Sequence, residues 1–383
     1  MNNIAAKVNG EFLKRFTSTP NLYYSPGRIN LIGEHVDYND GFVMPAAIDK
    51  GVWYAISSNS TNQLNFHSID FNESLSIGID EVRKMDGWKN YVLSVVNEFL
   101  IRKYDIHGFD CVFGGNIANG AGLSSSAAVE GGLAFGLNEI FGCNITKPAL
   151  ATLCQQAEHN YPAVNCGIMD QFANMMGQKD RVILLDCKTL QYDYFPLKFD
   201  HIEIVLINTK VHHSLAASEY NKRREECVEG LKILSSDSKI RSFRDVANPV
   251  NLLPYKDRMG EKIYSRCLFV VEEIARTQKA AKLLQEDNPV GFGQLMFEAH
   301  EGLSKLYEVS CKELDFLVEQ AHLDERVLGS RMMGGGFGGC TINLVRKEGV
   351  DHFLSTATSS YQQAFQIDPE IFRVNLEDGT HKL

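Results

Sequence analysis

The segment NGAGLSSSAAVEGG, residues 119–132, constrains the fold of this chain most, because a glycine-rich turn runs directly into a helical pattern. Its glycines and the small alanine let the backbone turn tightly and approach a ligand. Three consecutive serines then stand where the helix must begin, and small and apolar residues follow at helical spacing. A flexible linker would also be rich in Gly and Ser, but it would not continue into an apolar helix. The residues of this loop are Gly120, Ala121, Gly122, Leu123, Ser124, Ser125 and Ser126.

Two interpretations of the loop follow from these residues. A helix N-terminus offers free N–H groups and the positive end of the helix dipole, which together bind anions. The serine hydroxyls add donors, and one can ligate a hard cation, so the ligand would be a phosphate with Mg2+. The usual P-loop is excluded, because no Lys follows Gly120 at the required spacing. The alternative is a tight turn with an ordinary serine N-cap, and this segment alone does not choose between the two.

The composition of the 383-residue chain limits its partners. The formal net charge is −10 and the isoelectric point about 5.6, which argues against nucleic acid, because binding phosphate backbones needs a basic face. No apolar run reaches the roughly 18 residues of a membrane span, and the N-terminus lacks the apolar core of a signal peptide. Nine cysteines stand singly without a C-x-x-C pair, as free thiols of a reducing compartment do. We therefore predict a cytoplasmic protein that binds neither nucleic acid nor a membrane.

The order of strand-like and helical patterns predicts an α+β fold in two parts. The first half mixes strands and helices, and the second half begins with three long periodic segments, 218–234, 262–285 and 291–307. A glycine-rich turn with one strand, a helix over about 351–365 and a short strand then close the chain. A doubly wound sheet would alternate strands and helices regularly, so this order does not fit that fold.

A change of pattern between Asp186 and His201 marks the boundary between the two parts. A strand-like run, RVILLDC, gives way there to KTLQYDYFPLKFD, and a second run, IEIVLIN, follows. One large domain or two domains of ordinary size are expected for a chain of this length. We therefore predict an N-terminal domain over residues 1–195 and a C-terminal domain over residues 196–383.

The segment SPGRINLIGEHVDYNDGFVMPAAID, residues 25–49, packs charged side chains among glycines and apolar residues. Arg28 follows a Pro-Gly pair and precedes an apolar run. Glu34, His35 and Asp37 offer several acceptors close together, and clustered carboxylates and imidazoles of this kind recognise sugar hydroxyls. The alternative is a polar turn between two strands, favoured by the turn-forming residues DYNDG.

The segment QQAEHNYPAVNCGIMDQFANMMG, residues 155–177, carries two further acidic residues. Glu158 lies near the end of a predicted helix, and Asp170 opens the next one. An Asp there can be a simple N-cap. It stands among the apolar residues of CGIMDQF, however, and a partly buried carboxylate near an Arg can act as a general base.

The glycine-rich stretch Gly334–Gly339 also has two interpretations. It is either a flexible turn before the strand TINLV or, as the family resemblance given below implies, a backbone that packs closely against the substrate and the serine-rich loop. No side chain in it is predicted to take part in chemistry.

Taken jointly, PGRINLIGEHVDYNDGFVMPAAID, GAGLSSSAA and RMMGGGFGGCTINLV make the chain resemble the GHMP kinases, and within them the galactokinases. The first segment resembles the galactokinase signature, the second the phosphate loop of the superfamily, and the third its C-terminal motif. Further matching pieces, WKNYV, AEH, CGIMDQF, SEYNKRREEC and YEVSCKELD, follow in the expected order. The departures from the family pattern, Ser94, Ala118 and Pro162–Ala163, touch no residue assigned to chemistry.

This resemblance implies a two-domain GHMP kinase fold with the active site in the cleft between the domains. The N-terminal domain would be a mixed-sheet domain like domain 2 of ribosomal protein S5, and the C-terminal domain an α+β domain of the ferredoxin-like kind. The implied reaction is ATP-dependent phosphorylation of galactose at its C1 hydroxyl, giving galactose 1-phosphate and ADP. The implied cofactors are ATP and Mg2+, and we expect a monomer.

The resemblance also implies roles at matched positions. Asp170 would take the proton of the C1 hydroxyl, and Arg28 would stabilise the ionised Asp170 and the developing phosphoryl charge. Ser126 and Glu158 would ligate Mg2+, and the loop from Gly120 to Ser126 would hold the triphosphate. The implied sugar-binding residues are Glu34, His35, Asp37, Asp170 and Tyr220. The implied nucleotide-side residues are Ser68, Trp88 and Tyr91.

Three alternatives remain at this stage. An N-acetylgalactosamine kinase would share the first motif and would need room for an acetamido group. A galactose-sensing regulator without kinase activity would carry a defective phosphate loop, whereas SSSAA is intact here. A mevalonate or homoserine kinase would have no use for GEHVDYNDG, because its acceptor lacks sugar hydroxyls.

Overall fold

The computed structural model of the chain describes residues 3–118, 120–197, 201–212, 216–236 and 240–383. Asn119, the first residue of the serine-rich segment, lies outside the described residues. So do the last three residues of the run KTLQYDYFPLKFD at the predicted domain boundary.

The α-helices in chain order are α1 (Asn3–Arg15), α2 (Trp88–Ile101), α3 (Ser125–Ile140), α4 (Lys147–Asn160), α5 (Met169–Met176), α6 (Ala216–Ser236), α7 (Lys256–Gln285), α8 (Pro289–Glu301), α9 (Lys312–His322) and α10 (Val350–Phe365). The strands are β1 (Asn21–Asn30), β2 (Phe42–Val43), β3 (Pro45–Ser58), β4 (Gln63–Ser68), β5 (Glu73–Gly78), β6 (Phe109–Gly115), β7 (Arg181–Asp186), β8 (Tyr192–Pro196), β9 (Ile202–His212), β10 (Val327–Met332), β11 (Gly338–Arg346), β12 (Glu370–Val374) and β13 (His381–Lys382).

A six-stranded mixed sheet, in the order β13-β1-β3-β6-β4-β5, forms the centre of the first half. Only the β4–β6 pair is parallel among its pairings. Because side chains alternate between the faces of a strand, Tyr23 and Tyr54 pack with α2 and α3, whereas Tyr24 and Trp53 pack with α1. The serine-rich loop follows β6 directly and leads into α3, which lies on the sheet.

A four-stranded antiparallel sheet, in the order β10-β11-β9-β12, forms the centre of the second half. Helices α9 and α10 cover one face through a core that includes Val205, Leu317 and Phe353. The other face packs against α7 and α8 in a core that also contains Ile29 and Met44 from the first half. The two halves therefore share one continuous core where they meet. This architecture confirms the predicted α+β class, with a mixed sheet in the N-terminal part and an α+β C-terminal part.

The chain end returns to the first half. In β13, His381 and Lys382 pair antiparallel with Tyr24 and Tyr23 of β1, and Thr380 is fully buried. The predicted division at residue 195/196 remains a prediction, and the last residues belong to the first sheet although they follow the second.

The three long periodic segments are helices, as predicted. They correspond to α6, α7 and α8, and α8 continues into a π-helical turn at Gly302–Leu306. Several strands were not predicted individually, and two of them lie in segments whose sequence had favoured another interpretation. β8 pairs with β7 inside the boundary run, and β10 pairs with β11 where the sequence had indicated one glycine-rich turn before a single strand.

Among the described residues, no helix combines the length and the apolar character needed to cross a membrane.

Candidate active site

A cavity of about 140 Å³ lies where the two halves of the chain meet, and residues of both halves line it. The end of β1 and the turn after it, the loop between α4 and α5, helix α6 and the turn between β10 and β11 all reach it. The sequence-predicted residues in its lining are Arg28, Glu34, His35, Asp37, Glu158, Asp170 and Tyr220.

Arg28 and Asp170 form an ion pair with two parallel hydrogen bonds at this cavity. Two guanidinium nitrogens of Arg28 donate to Oδ1 and Oδ2 of Asp170, each at 2.8 Å, which fixes the plane of the carboxylate. Burial by itself lowers the pKa of Arg28, but the charges of Asp170 and then Glu34 outweigh it and raise the pKa. Asp170 lies in the first turn of α5, where the helix dipole favours a negative charge, and the N-cap is Ile168. The simple N-cap interpretation of Asp170 is therefore wrong.

Ser124, immediately before α3, makes a further contact to Asp170. Its hydroxyl donates to Oδ2 of Asp170, and its φ of 58° places the backbone in the left-handed region. Ser124 occupies the N-cap position, but within the described residues its side chain makes no capping hydrogen bond to the helix. The first N–H groups of α3 thus keep their capacity to bind an anion, which removes the ordinary serine N-cap as an alternative.

The side chains of Ser126 and Glu158 form a hydrogen bond close to Asp170. Burial, and then the charge of Asp170, raise the pKa of Glu158 to about 7, while a hydrogen bond from Ser126 lowers it. Gln171 donates to Oε2 of Glu158 at 2.7 Å. One carboxylate and one hydroxyl are the hard oxygen donors that Mg2+ takes when phosphates and water complete its shell. Within the described ranges, no group of three or more His, Cys, Asp or Glu side chains could hold a metal ion.

Glu34 is buried and is held from the second half of the chain. Its Oε1 accepts hydrogen bonds from Arg331 at 3.2 Å and from the backbone N–H of Gly334 at 2.9 Å. Every hydrogen bond that the described residues make to this carboxylate ends on Oε1. The second oxygen, Oε2, therefore keeps its acceptor capacity for a ligand in the cavity.

Both ring nitrogens of His35 already have protein partners. Nδ1 lies 2.6 Å from the hydroxyl of Tyr38, and Nε2 lies 3.2 Å from the carbonyl oxygen of Gly335. Burial lowers the pKa of His35 to about 3, so the ring is neutral, with Nε2–H donating to Gly335 and Nδ1 accepting from Tyr38. His35 lines the cavity, and its direct role toward a sugar remains a prediction.

Asp37 is a further carboxylate among the predicted sugar contacts, and its surroundings disfavour its ionised form. Burial, and then the charges of Asp170 and Glu34, raise its pKa to about 7. Gly167 lies against it, because a Cβ atom at Gly167 would stand only 2.0 Å from Oδ2 of Asp37. Sequence reasoning missed Gly167, although its position three residues before Asp170 in CGIMDQF was a usable signal.

Tyr220 on α6 closes the cavity from the C-terminal half. Its ring centroid lies 5.3 Å from that of His35 and 5.5 Å from that of Tyr38. Burial, and then Asp37, raise the pKa of its hydroxyl well above the ordinary value, so the hydroxyl remains a donor.

The serine-rich loop and the turn between β10 and β11 approach each other closely. A Cβ atom at Gly334 would lie 3.5 Å from the carbonyl oxygen of Gly122, and one at Gly339 would lie 3.7 Å from that of Gly120. Gly120 and Gly122 have φ values of 71° and 72°, which favour glycine. The glycine-rich stretch thus lines the site with its backbone, as the second of its two interpretations predicted.

The predicted nucleotide-side residues lie outside this cavity, around Phe113 at the end of β6. Ser68 is fully buried and pairs in register with Phe113, and its hydroxyl has no hydrogen-bond partner among the described residues. The ring of Trp88 lies 5.4 Å from that of Phe113, and its indole N–H donates to Glu73. Tyr91 follows on the next turn of α2. Ser68 and Trp88 thus share Phe113 as a neighbour, and the contact of the three predicted residues with a nucleotide remains a prediction.

Sequence reasoning also missed Arg331, which is fully buried in β10. It donates to Glu34 and to the carbonyl oxygens of Asn30 and Leu31, about 300 residues earlier in the chain. The available signal was a single Arg in an otherwise small and apolar stretch, GSRMMGGG.

Three family models match this chain. The galactokinase galactose-binding signature matches residues 10–58, the GHMP kinases N terminal domain matches residues 90–178, and the GHMP kinases C terminal matches residues 280–362. The three matches follow in the order of the three motifs in the sequence.

Curated relatives and solved structures agree with these matches. The galactokinase of Thermotoga maritima is 39% identical over 359 residues, covering 94% of this chain and 99% of the relative. The galactokinase of Clostridium perfringens strain 13 is 40% identical over 384 residues, covering 98% and 99%. The crystal structure of Lactococcus lactis galactokinase complexed with galactose has a TM-score of 0.95 at 34% identity, covering 99% of each chain. The mevalonate kinase of Methanococcus jannaschii, with a TM-score of 0.64 at 18% identity over 94% of this chain and 99% of that one, shares the fold alone.

Proposed function

The chain belongs to the galactokinase family, and from that premise we propose that it transfers the γ-phosphoryl group of ATP to the C1 hydroxyl of galactose in the cavity described above. The observation that carries this proposal is the Asp170 carboxylate, held by Arg28 and Ser124 between the serine-rich loop and the acceptor groups of Glu34 and Asp37. A base, a phosphate-binding loop and a sugar-binding set therefore converge on one small volume. This convergence is what phosphoryl transfer by positioning requires.

Asp170 orients the acceptor hydroxyl and takes its proton. In the transfer, the C1 oxygen of the sugar forms a bond to the γ-phosphorus while the bond from that phosphorus to the β–γ bridging oxygen breaks and ADP leaves. The hydroxyl proton passes to Asp170 and then to solvent. A carboxylate is a weak base toward an alcohol, so orientation and late proton acceptance are its main contributions.

Arg28 contributes fixed positive charge beside the transferred group. Its guanidinium is nearly buried and held in one plane by Asp170, so it needs little reorganisation as charge develops on the phosphoryl oxygens. The free N–H groups at the start of α3 add donors for the triphosphate.

Ser126 and Glu158 fit Mg2+, because they bring one hydroxyl and one carboxylate together beside the phosphate loop. When bound, the cation neutralises charge on the β- and γ-phosphates. Glu158 must be ionised to act as a ligand, and Gln171 holds its orientation through the 2.7 Å hydrogen bond to Oε2.

Glu34, Asp37 and Tyr220 supply the sugar contacts. The carboxylates accept hydrogen bonds from sugar hydroxyls, and the Tyr220 hydroxyl can donate one. We also propose that the protein is a monomer. All nine cysteines, which all lie within the described residues, are unpaired, as befits a reducing cytoplasmic compartment.

The experiment that tests this function measures ADP release by the purified chain. Galactose, glucose, mannose and N-acetylgalactosamine are offered with ATP, with Mg2+ present or chelated. We expect Mg2+-dependent turnover with galactose. If none of the sugars is turned over, the kinase assignment is contradicted. If N-acetylgalactosamine is turned over much faster than galactose, the assignment of galactose as the substrate is contradicted.

A matched pair of variants tests the role of Asp170. Asp170→Asn keeps the shape of the side chain and removes the base, so we expect kcat to fall by about 10²–10⁴. Galactose affinity measured by calorimetry should stay within a few-fold. Asp193→Asn, an exposed Asp on β8, is the control and should leave both quantities unchanged. Unchanged turnover in Asp170→Asn would remove Asp170 from the reaction.

A further inference from the structure

The turn that carries Glu34 is held from the C-terminal half by a buried carboxylate on α7. We propose that Glu273 is a positioning residue that fixes this turn through the backbone N–H of Gly33, so that Glu34 presents its free oxygen to the sugar. The inference rests on the proposed function, because it takes Glu34 as a sugar contact. Glu273 itself does not line the cavity.

The backbone N–H of Gly33 needs a hydrogen-bond acceptor from outside its own turn. Gly33 stands between the end of β1 and the helical turn at Asp37–Asn39, with a φ of 94°. A Cβ atom there would lie 2.5 Å from the carbonyl oxygen of Phe42, so the turn is pressed against the next strand. Its N–H is buried and donates to Oε1 of Glu273 at 2.9 Å. Buried N–H groups are almost always paired, and the pairing here crosses to the other half of the molecule.

Glu273 and Arg331 divide the backbone groups of the turn between them according to charge. The cationic Arg331 donates hydrogen bonds to the carbonyl oxygens of Asn30 and Leu31, and the anionic Glu273 accepts one from the N–H of Gly33. Arg331 and Gly334 also hold Oε1 of Glu34 itself. The position of Glu34 is thus set from the C-terminal half, through the backbone groups that precede it in the turn and through its own carboxylate.

Glu273 is itself immobilised. It is fully buried, and its second oxygen accepts from Arg276 one helical turn later. Thr277 packs against Gly33 and bonds the backbone carbonyl of Glu273 at 2.9 Å. An ion pair on the helix would need only one carboxylate oxygen, whereas the other oxygen points to a turn 240 residues away. The two roles of Glu273 can therefore be separated by mutation.

Two substitutions separate them. Glu273→Gln keeps an oxygen for Gly33 and loses the charge that pairs with Arg276, whereas Glu273→Leu loses both. We expect Glu273→Leu to raise the KM for galactose about ten- to hundredfold, the range for a lost hydrogen bond to a charged group, with the KM for ATP within about threefold. Glu273→Gln should keep the galactose KM within about threefold while lowering Tm. Hydrogen exchange of the peptide around residues 29–36 should be at least tenfold faster in Glu273→Leu and close to wild type in Glu273→Gln.

Glu98 offers a matched control. It is equally buried on α2 and bonds Arg102 and Asn160, with no contact to the turn. Glu98→Gln and Glu98→Leu should lower Tm without changing the galactose KM or the exchange of residues 29–36. If Glu273→Leu does not fold, Glu273→Asp withdraws the carboxylate by one methylene and should show the same KM and exchange effects.

The outcomes distinguish this inference from the proposed function. A wild-type chain that phosphorylates no sugar contradicts the proposed function, and the exchange measurement still tests the contact to Gly33. An active wild type in which Glu273→Leu or Glu273→Asp changes neither galactose KM nor exchange overturns the inference alone. Equal KM increases in Glu273→Gln and Glu273→Leu would also overturn it, because the ion pair with Arg276 would then be the cause.

Discussion

At the scale of single residues, the cavity gathers several carboxylates whose neighbours differ. Arg28 pairs with Asp170, whereas Asp37 has no such partner in the part of the chain that the structure describes, and its pKa rises to about 7 through burial and the charges of Asp170 and Glu34. At neutral pH, Asp37 is therefore partly protonated before a ligand enters. A sugar hydroxyl can satisfy either form, because it both donates and accepts hydrogen bonds.

Gly167 controls the position of Asp37. In Gly167→Ala the added methyl would stand 2.0 Å from Oδ2 of Asp37, so the carboxylate must move. We expect the KM for galactose to rise about ten- to hundredfold, as when a hydrogen bond to a charged group is lost, with the KM for ATP little changed. Steady-state kinetics with each substrate varied in turn measures this. The control is Gly10→Ala on α1, where a Cβ meets nothing within 4 Å. An unchanged galactose KM in Gly167→Ala would argue that Asp37 does not contact the sugar.

Glu130 on α3 is fully buried beside Gln171, and among the described residues it has no ion-pair partner. Burial, and then the charge of Glu158, raise its pKa well above the ordinary value of about 4.3. The unfolded chain therefore releases this proton at a lower pH than the folded chain does. The associated stability is present below about pH 4.3 and is lost as pH rises, by about 1.4 kcal/mol per unit while the folded group stays protonated.

Glu130→Gln removes this titration while keeping the shape of the side chain. We expect the free energy of unfolding of the variant to fall less steeply than that of the wild type between pH 5 and pH 8. Urea denaturation at each pH measures the slope. Glu139→Gln, an exposed position on the same helix, should leave the slope unchanged. Equal slopes for Glu130→Gln and the wild type would show that Glu130 is ionised in the folded protein.

At the scale of helices and strands, the sequence predicted those elements whose pattern is local. The glycine-rich turn before a run of small residues predicted α3, and the apolar periodicity predicted α6, α7 and α8. β8 was not predicted because it is an edge strand with mostly exposed residues, so its sequence shows little alternation of apolar and polar residues. β10 was not predicted because its buried residues include the polar Ser330 and Arg331. Their hydrogen-bond partners lie outside the strand, on β11 for Ser330 and 300 residues earlier for Arg331.

The same distinction applies to the candidate site. The motifs named Arg28, Glu34 and Asp170, because each stands in a segment with a family resemblance. They could not show that Ser124 bonds Asp170 or that Arg331 holds Glu34, since both contacts depend on how distant elements pack. Patterns within one segment carry no information about which backbone group a side chain 300 residues away will reach.

The first turn of α3 carries a prediction of its own. Ser126→Ala removes the hydroxyl that bonds Glu158 and leaves the helix intact, since Ala is a strong helix former. We expect the KM for MgATP to rise about tenfold or more, while galactose affinity measured by calorimetry changes less than about twofold. Ser265→Ala, on the surface of α7, is the control and should change neither. A larger loss of galactose affinity than of MgATP use would place Ser126 on the sugar side of the site.

At the scale of the whole molecule, the two halves are interlocked rather than simply adjacent. The chain end crosses back to add β13 to the first sheet, and Leu376 forms a bridge with Ile48. Glu273 and Arg331 reach from the second half to the turn of the first. These contacts tie the two halves together at the turn that carries Glu34 and at the first sheet.

Thr380 tests the contribution of the returning chain end. It is fully buried, and its hydroxyl donates to Oδ1 of Asn174 at 2.8 Å, while Asn174 in turn bonds Ser25 and the carbonyl oxygen of Pro26. Asn174 belongs to α5, the helix that presents Asp170 to the cavity.

Thr380→Val keeps the volume of the side chain and leaves the buried amide oxygen of Asn174 without its hydrogen-bond donor, so we expect the free energy of unfolding to fall by about 1–3 kcal/mol. Because α5 would be less firmly held, kcat should fall several-fold while the galactose KM changes little. Urea denaturation and steady-state kinetics measure the two effects, with the exposed Thr356→Val on α10 as control. If the free energy of unfolding of Thr380→Val equals that of the wild type, the chain end packs against the first half without stabilising it.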